Sequence, residues 1–184
     1  MSTNKPLRVV VSGFFNPFHA AHLGLLKEAA RYGELTVIVN NDKQVLLKGS
    51  CPFQTEGERF AIIDALKCVS YTVLAKETDR TTVEETIRDI KPDLLMKGGD
   101  RTEDTMADAE REICEQIGCR ILYGVGGWNK DNSSSLLIEK AAHWYNAKHM
   151  NDIINNTIKF NFDNCMLPHF FANNYINFQH LKNF

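Results

Sequence analysis

His19 and His22 stand three residues apart in the run Ser12-Gly13-Phe14-Phe15-Asn16-Pro17-Phe18-His19-Ala20-Ala21-His22. Residues at that spacing share one face of a helix. The first turn of a helix carries unpaired N–H groups and the positive end of the dipole, so it favours an anion. Two imidazoles at such a turn are donors suited to a polyphosphate. Gly13, with Phe14 and Phe15 beside it, lets the backbone come close to a ligand, and Pro17 stiffens the turn. Coincidence or helix capping is the bland alternative for the histidine pair.

Two further patches carry groups of the same kind. Lys97-Gly98-Gly99-Asp100-Arg101 brings glycines for close approach, two cations, and a carboxylate suited to a ribose hydroxyl. It reads equally as a Gly-Gly turn with solvated charges. Asn132-Ser133-Ser134-Ser135 offers hydroxyls and free N–H groups at the start of a helix, which suit triphosphate oxygens or simply cap that helix.

These residues need a scaffold. Leu7–Ser12, Leu35–Asn40, Tyr71–Ala75, Asp93–Met96 and Arg120–Tyr123 read as short strands. Between and after them, His19–Arg31, Thr55–Lys67, Thr81–Ile90, Thr102–Ile117 and Ser133–Ala147 read as helices, with Phe60, Ile62, Ile63 and Leu66 inward in the second. Gly33 and Gly118 are expected helix C-caps. The helix before Pro92 stops because the residue ahead of proline avoids the right-handed helical region. Five strands alternating with five helices predict an α/β fold: a Rossmann-like parallel five-stranded sheet with helices on both faces. Ligands on such sheets bind beyond the C-terminal strand ends, where each chemical patch falls. Residues 1–147 form the expected domain. Residues 148–184 form a C-terminal helical and aromatic extension, expected to pack on the core or on a second subunit.

Composition narrows the function classes. The chain has 184 residues, 43% hydrophobic and 24% charged, ordinary for a globular protein and unlike a disordered or fibrous one. A net charge of -2 argues against nucleic-acid binding through bulk positive charge. No stretch is apolar enough for a signal segment or a membrane span. Five cysteines without a Cys-x-x-Cys indicate free thiols and a cytoplasmic setting. No GxxxxGK[ST] loop and no Gly-x-Ser-x-Gly elbow occurs, and Gly124-Val125-Gly126-Gly127 does not satisfy GxGxxG.

Gly-Phe-Phe-Asn-Pro-Phe-His-Ala-Ala-His resembles the HxGH signature of the cytidylyl- and adenylyltransferase superfamily, with Ala21 at the position of its glycine. Asp93–Asp100 is similar to the adenylyltransferase domain of ADP-heptose synthases, and less so to glycerol-3-phosphate cytidylyltransferase. The serines resemble an ISSSxxR motif in which Ile138 or Glu139 takes the cation's position and Lys140 is the nearest cation. The resemblance covers roughly residues 7–142. It implies transfer of a nucleoside monophosphate, ATP favoured over CTP, to a phosphorylated sugar or polyol, with release of pyrophosphate. It implies that His19 and His22 stabilise charge at the α- and β-phosphates. Ser133, Ser134, Ser135 and Lys140 would hold the β- and γ-phosphates. Lys48, in the loop after the second strand with Asn40 and Asp42, would meet the acceptor phosphate. Arg59 binds substrate or braces that loop. Mg²⁺ bound through the phosphates and a homodimer are implied as well. The alternatives are a cytidylyltransferase making a CDP-polyol and a nucleotide-binding module that has lost catalysis. If the histidines donate as cations, activity falls as pH rises through their pKa.

Overall fold

The computed structural model describes residues 5–99, 101–127 and 133–154, with side chains described to 146. Five strands, β1 (Leu7–Gly13), β2 (Gly33–Val39), β3 (Tyr71–Leu74), β4 (Leu94–Gly98) and β5 (Arg120–Val125), form one parallel sheet in the order β3-β2-β1-β4-β5. The helices are α1 (Ala20–Ala29), α2 (Asp42–Leu47), α3 (Glu56–Asp64), α4 (Glu84–Ile90), α5 (Asp108–Ile117) and α6 (Ser134–Ile154). The expected Rossmann-like architecture is present.

Strict alternation of side chains along β1 explains its all-apolar run. Val9 and Val11 join Leu26, Leu35, Val37 and Ile63 on one face of the sheet. Val10 joins Ile38, Ile87, Leu95 and Ile113 on the other. A central strand buried on both faces has no polar side to show. The chain runs from β1 outward to β3, then returns to the other side of β1 with β4. The crevice between the C-terminal ends of β1 and β4 is therefore the switch point at which such sheets bind ligands.

Several local expectations are corrected. Gly33 does not cap the preceding helix, which closes on Ala30 in the right-handed region. It opens β2 opposite Leu7, and a Cβ there would lie 2.0 Å from the Leu7 carbonyl oxygen. Gly33→Ala is therefore expected to destabilise the protein by about 1–3 kcal/mol, the scale of an overpacked site. A chemical-denaturation midpoint equal to wild type would contradict this.

The expected helix over Thr102–Ile117 is broken. Glu103–Thr105 is a single 3-10 turn, Met106 is extended, and α5 starts at Asp108. The Thr105 hydroxyl accepts from the Thr102 N–H at 2.9 Å, a local bond that competes with helix. Gly118 does close α5, at φ 72°. Likewise α4 starts only at Glu84, leaving Thr81 and Thr82 in a loop whose carbonyls accept from Asn40 and Gln44.

The expected helix over Thr55–Lys67 is shortened to α3, with Thr55 and Glu58 forming a capping box. Of its expected inward residues only Ile63 is fully buried. Helix α2 lies in what reads as a loop; Asn41 and Gln44 form its capping box. Helix α6 continues past Ala147 to Ile154. The rest of the extension, 155–184, lies outside the described residues.

Candidate active site

A cleft of about 670 Å³ opens at the C-terminal edge of the sheet. That size suits a small-molecule ligand. Ser12, Gly13, Phe14 and Phe15 line it from the end of β1, His22 from α1, Asn40 and Lys48 from the β2 side, Lys97 from β4, and Ser134, Ser135 and Ile138 from α6. Four stretches far apart in sequence thus meet at one place.

The histidine pair sits as its spacing predicts. His19 occupies the position before the first residue of α1, and its ring stacks on His22 at 3.7 Å between centroids. Phe18 stacks on His22 at 5.7 Å and Phe15 meets it edge-on at 5.0 Å. His22 lines the cleft, whereas His19 supports it from behind. The Nδ1 atoms of both rings are buried without a hydrogen-bond partner among the described residues.

Burial, the neighbouring His19 and the Lys48 ammonium push the His22 pKa down to about 3, and burial lowers that of His19. His22 is therefore a neutral ring at pH 7, with one N–H to donate, and not an imidazolium. Since its folded pKa lies below the unfolded value near 6.5, protonation favours the unfolded chain. The stability it contributes is complete above pH 6.5 and drains away as pH falls toward 3. His22→Phe is expected to flatten that acid-side loss, measured as unfolding free energy against pH. A variant with an acid limb as steep as wild type's would contradict the neutral ring.

Gly13 and Phe15 line the cleft as expected and also pack against each other. A Cβ on Gly13 would lie 2.8 Å from the Phe15 ring. The space at Gly13 is occupied by that ring, which is 1% exposed and belongs to the core under His22. Phe14 is in the lining as well, and the Lys48 ammonium stands 4.3 Å above its ring, a cation–π contact that fixes a flexible side chain.

Arg59 is fully buried. It donates to the carbonyls of Phe14 at 2.7 Å, Asn40 at 2.6 Å and Gln54 at 3.1 Å, and to Asp42 Oδ1 at 2.6 Å. Its guanidinium therefore clasps the β1 and β2 loops together and lies outside the lining, as does Asp42. Asn40 lines the cleft, but its amide donates to Gln44 Oε1 and the Thr81 carbonyl. Asn16, which the sequence reading passed over, pins the opposite rim: it donates to the Cys51 carbonyl and accepts from the Phe53 N–H at 2.6 Å.

At α6, Ser133 acts as a cap, accepting from the Leu136 N–H at 3.1 Å. Ser134 donates to the Pro17 carbonyl at 2.9 Å and ties the helix to the histidine turn. Ser135 and Ile138 face the cleft; Lys140 is exposed and outside the lining. Gly98 ends β4 opposite Val125 and is also outside it. Asp100 lies outside the described residues. Gly126, just after β5, packs against α1: a Cβ on it, at φ 83°, would come within 2.6 Å of Leu25 Cα.

A family model described as Cytidylyltransferase-like matches residues 10–140, the stretch that builds both sheet and cleft. The chain belongs to the cytidylyltransferase-like family. Among its relatives are the "Bifunctional protein HldE" of Gluconobacter oxydans, 43% identical over 105 residues, 55% of this chain. The "FAD synthase" of Methanocorpusculum labreanum is 36% identical over 115 residues, 60% of this chain and 79% of that protein. The matched region is 21% of the HldE protein's length. A crystal structure of a lipopolysaccharide core biosynthesis protein from Thermoplasma volcanium superposes with a TM-score of 0.57 at 28% identity, covering 67% of this chain and 99% of that one. The resemblance to the nucleotidyltransferase superfamily and to HldE-type proteins is thus borne out. FAD synthases as relatives were not anticipated.

Among the described residues no helix is long and apolar enough to cross a membrane. No group of three or more His, Cys, Asp or Glu side chains among them could hold a metal ion.

Proposed function

We propose that this cytidylyltransferase-like chain transfers the nucleoside monophosphate of ATP to the phosphate of a small molecule and releases pyrophosphate. An acceptor phosphate oxygen attacks the α-phosphorus, the bond to the bridging oxygen of the β-phosphate breaks, and pyrophosphate leaves with the electron pair. Such transfer needs alignment and charge compensation more than covalent help. The observation that carries the reading is the convergence of His22, Lys48 and the first turn of α6 on one cleft. His22 donates to phosphate oxygens as charge grows, and His19 orients it. The start of α6 receives the distal phosphates. Lys48 offsets repulsion between acceptor and nucleotide. Mg²⁺ would be held through the triphosphate oxygens and not by a protein cage, and would offset their charge.

The Lys97–Asp100 resemblance supports ATP over CTP, and so do relatives named for FAD, a product that contains an adenylyl group. The acceptor is a phosphorylated sugar or polyol. A flavin phosphate is the second reading, favoured by the FAD synthase match over most of that protein. The working form is a homodimer in the cytoplasm, where thiols such as Cys51, Cys68, Cys114 and Cys119 stay reduced.

The nucleotide preference is tested by thermal shift of the full chain with Mg·ATP or Mg·CTP. A ligand at about 100 times its Kd adds roughly 2.7 kcal/mol, or several degrees for a protein of this size. The expected result is a shift with ATP exceeding that with CTP. A shift with CTP alone would assign the chain to cytidylyl transfer.

A further inference from the structure

Glu110 lies in the first turn of α5, among the charged residues Asp108, Arg111 and Glu112. The structure buries it, and its carboxylate reaches the cleft wall. One oxygen accepts from the Lys97 ammonium at 2.5 Å and the other from the Val83 N–H ahead of α4 at 3.3 Å. Lys97 also donates to Ser12 Oγ at 3.3 Å. Lys97 is on β4 and Ser12 on β1, and these strands flank the switch point. The ammonium therefore spans the crevice in which a ligand on this sheet is expected.

A free lysine has many rotamers to lose when it is held in one place. A lysine held from behind by a buried carboxylate has already lost that freedom, so it meets an anion at little further entropic cost. Its hydroxyl partner is the weaker and more easily exchanged of the two.

We propose that Glu110 is a positioning residue: it fixes the Lys97 ammonium at the floor of the switch-point crevice, where Lys97 exchanges Ser12 for a phosphate oxygen of the bound triphosphate. This rests on the proposed function. It adds a residue that touches no substrate but sets the aim of one that does.

The test is calorimetric binding of Mg·ATP, or of Mg·CTP if that is what the wild type binds, alongside the bare nucleoside. Lys97→Met is expected to weaken triphosphate binding about 10- to 100-fold, the scale of one charge-assisted hydrogen bond. Glu110→Gln is expected to weaken it severalfold, and the double variant no more than Lys97→Met alone. Glu110→Asp, and Lys97→Arg should Lys97→Met fail to fold, are expected to restore part of the loss. Nucleoside binding should stay unchanged in every variant. A wild type that binds neither triphosphate overturns the proposed function and this inference with it. A wild type that binds, with Glu110→Gln unchanged or tighter, overturns the inference alone. So does equal loss of nucleoside and triphosphate binding, which marks the pair as scaffold.

Discussion

Replacing His22 by alanine is expected to lower turnover about 10²- to 10³-fold, the scale of one lost transition-state donor. Its ring is the one of the pair that lines the cleft, and Phe15, Phe18 and His19 hold it in place. Those supports remain in the alanine variant, so the loss falls on the donor and not on the fold. Because the ring is neutral at pH 7, its service is a positioned N–H. His22→Asn retains a side-chain donor and should recover part of the activity, whereas His22→Phe should not. Turnover equal to wild type in the alanine variant would remove His22 from the reaction.

The largest effect on stability is expected at Arg59. Arg59→Met keeps most of the stem's volume but deprives the Phe14, Asn40 and Gln54 carbonyls and the Asp42 carboxylate of their donor. A carbonyl left buried without its donor costs about 1–3 kcal/mol. The Asp42 carboxylate, with its side chain 32% exposed, adds little because water screens it, so the total is about 3–5 kcal/mol. For a domain of this size that lowers Tm by roughly 10 °C. Activity should fall as well, because the clasped loops carry Phe14 and Asn40, both in the cleft lining. A Tm within about 2 °C of wild type would show that the bonds at Arg59 do not support the fold as described.

How much of this was legible in the sequence depends on whether the signal was local. The central strands were readable because a parallel strand buried on both faces is a continuous apolar run, as Val9-Val10-Val11 shows. The histidine pair was readable because helical spacing alone puts both rings on one side of a turn. Helix α2 was missed because it is one turn and a half and its apolar residues, Val45, Leu46 and Leu47, are consecutive; the capping pair Asn41 and Gln44 was its only mark. Gly33 was misread because a glycine after a helix suggests a cap, whereas here it makes room for the Leu7 carbonyl on a neighbouring strand. That contact joins residues 26 apart in sequence and leaves no local trace.

The same limit governs the site. Arg59 and Glu110 look like surface charges in amphipathic helices, and each is buried only because a distant loop or strand supplies its partners. Phe15 stands among residues expected to meet a nucleotide. A left-handed backbone, φ 50°, accompanies its turn inward under His22. Ala21, where the family signature has glycine, adds a methyl group to the first turn of α1. His22 and the start of α6 nevertheless share the cleft.

The central claim, that the cleft is a nucleotidyl-transfer site, is tested most directly by pyrophosphate release. The full chain would be given Mg·ATP or Mg·CTP with a sugar 1-phosphate, glycerol 3-phosphate or flavin mononucleotide, beside the His22→Ala variant. The account predicts release that requires ATP and at least one of these acceptors and that falls about 10²- to 10³-fold in the variant. Release from no combination above the variant's background would contradict it.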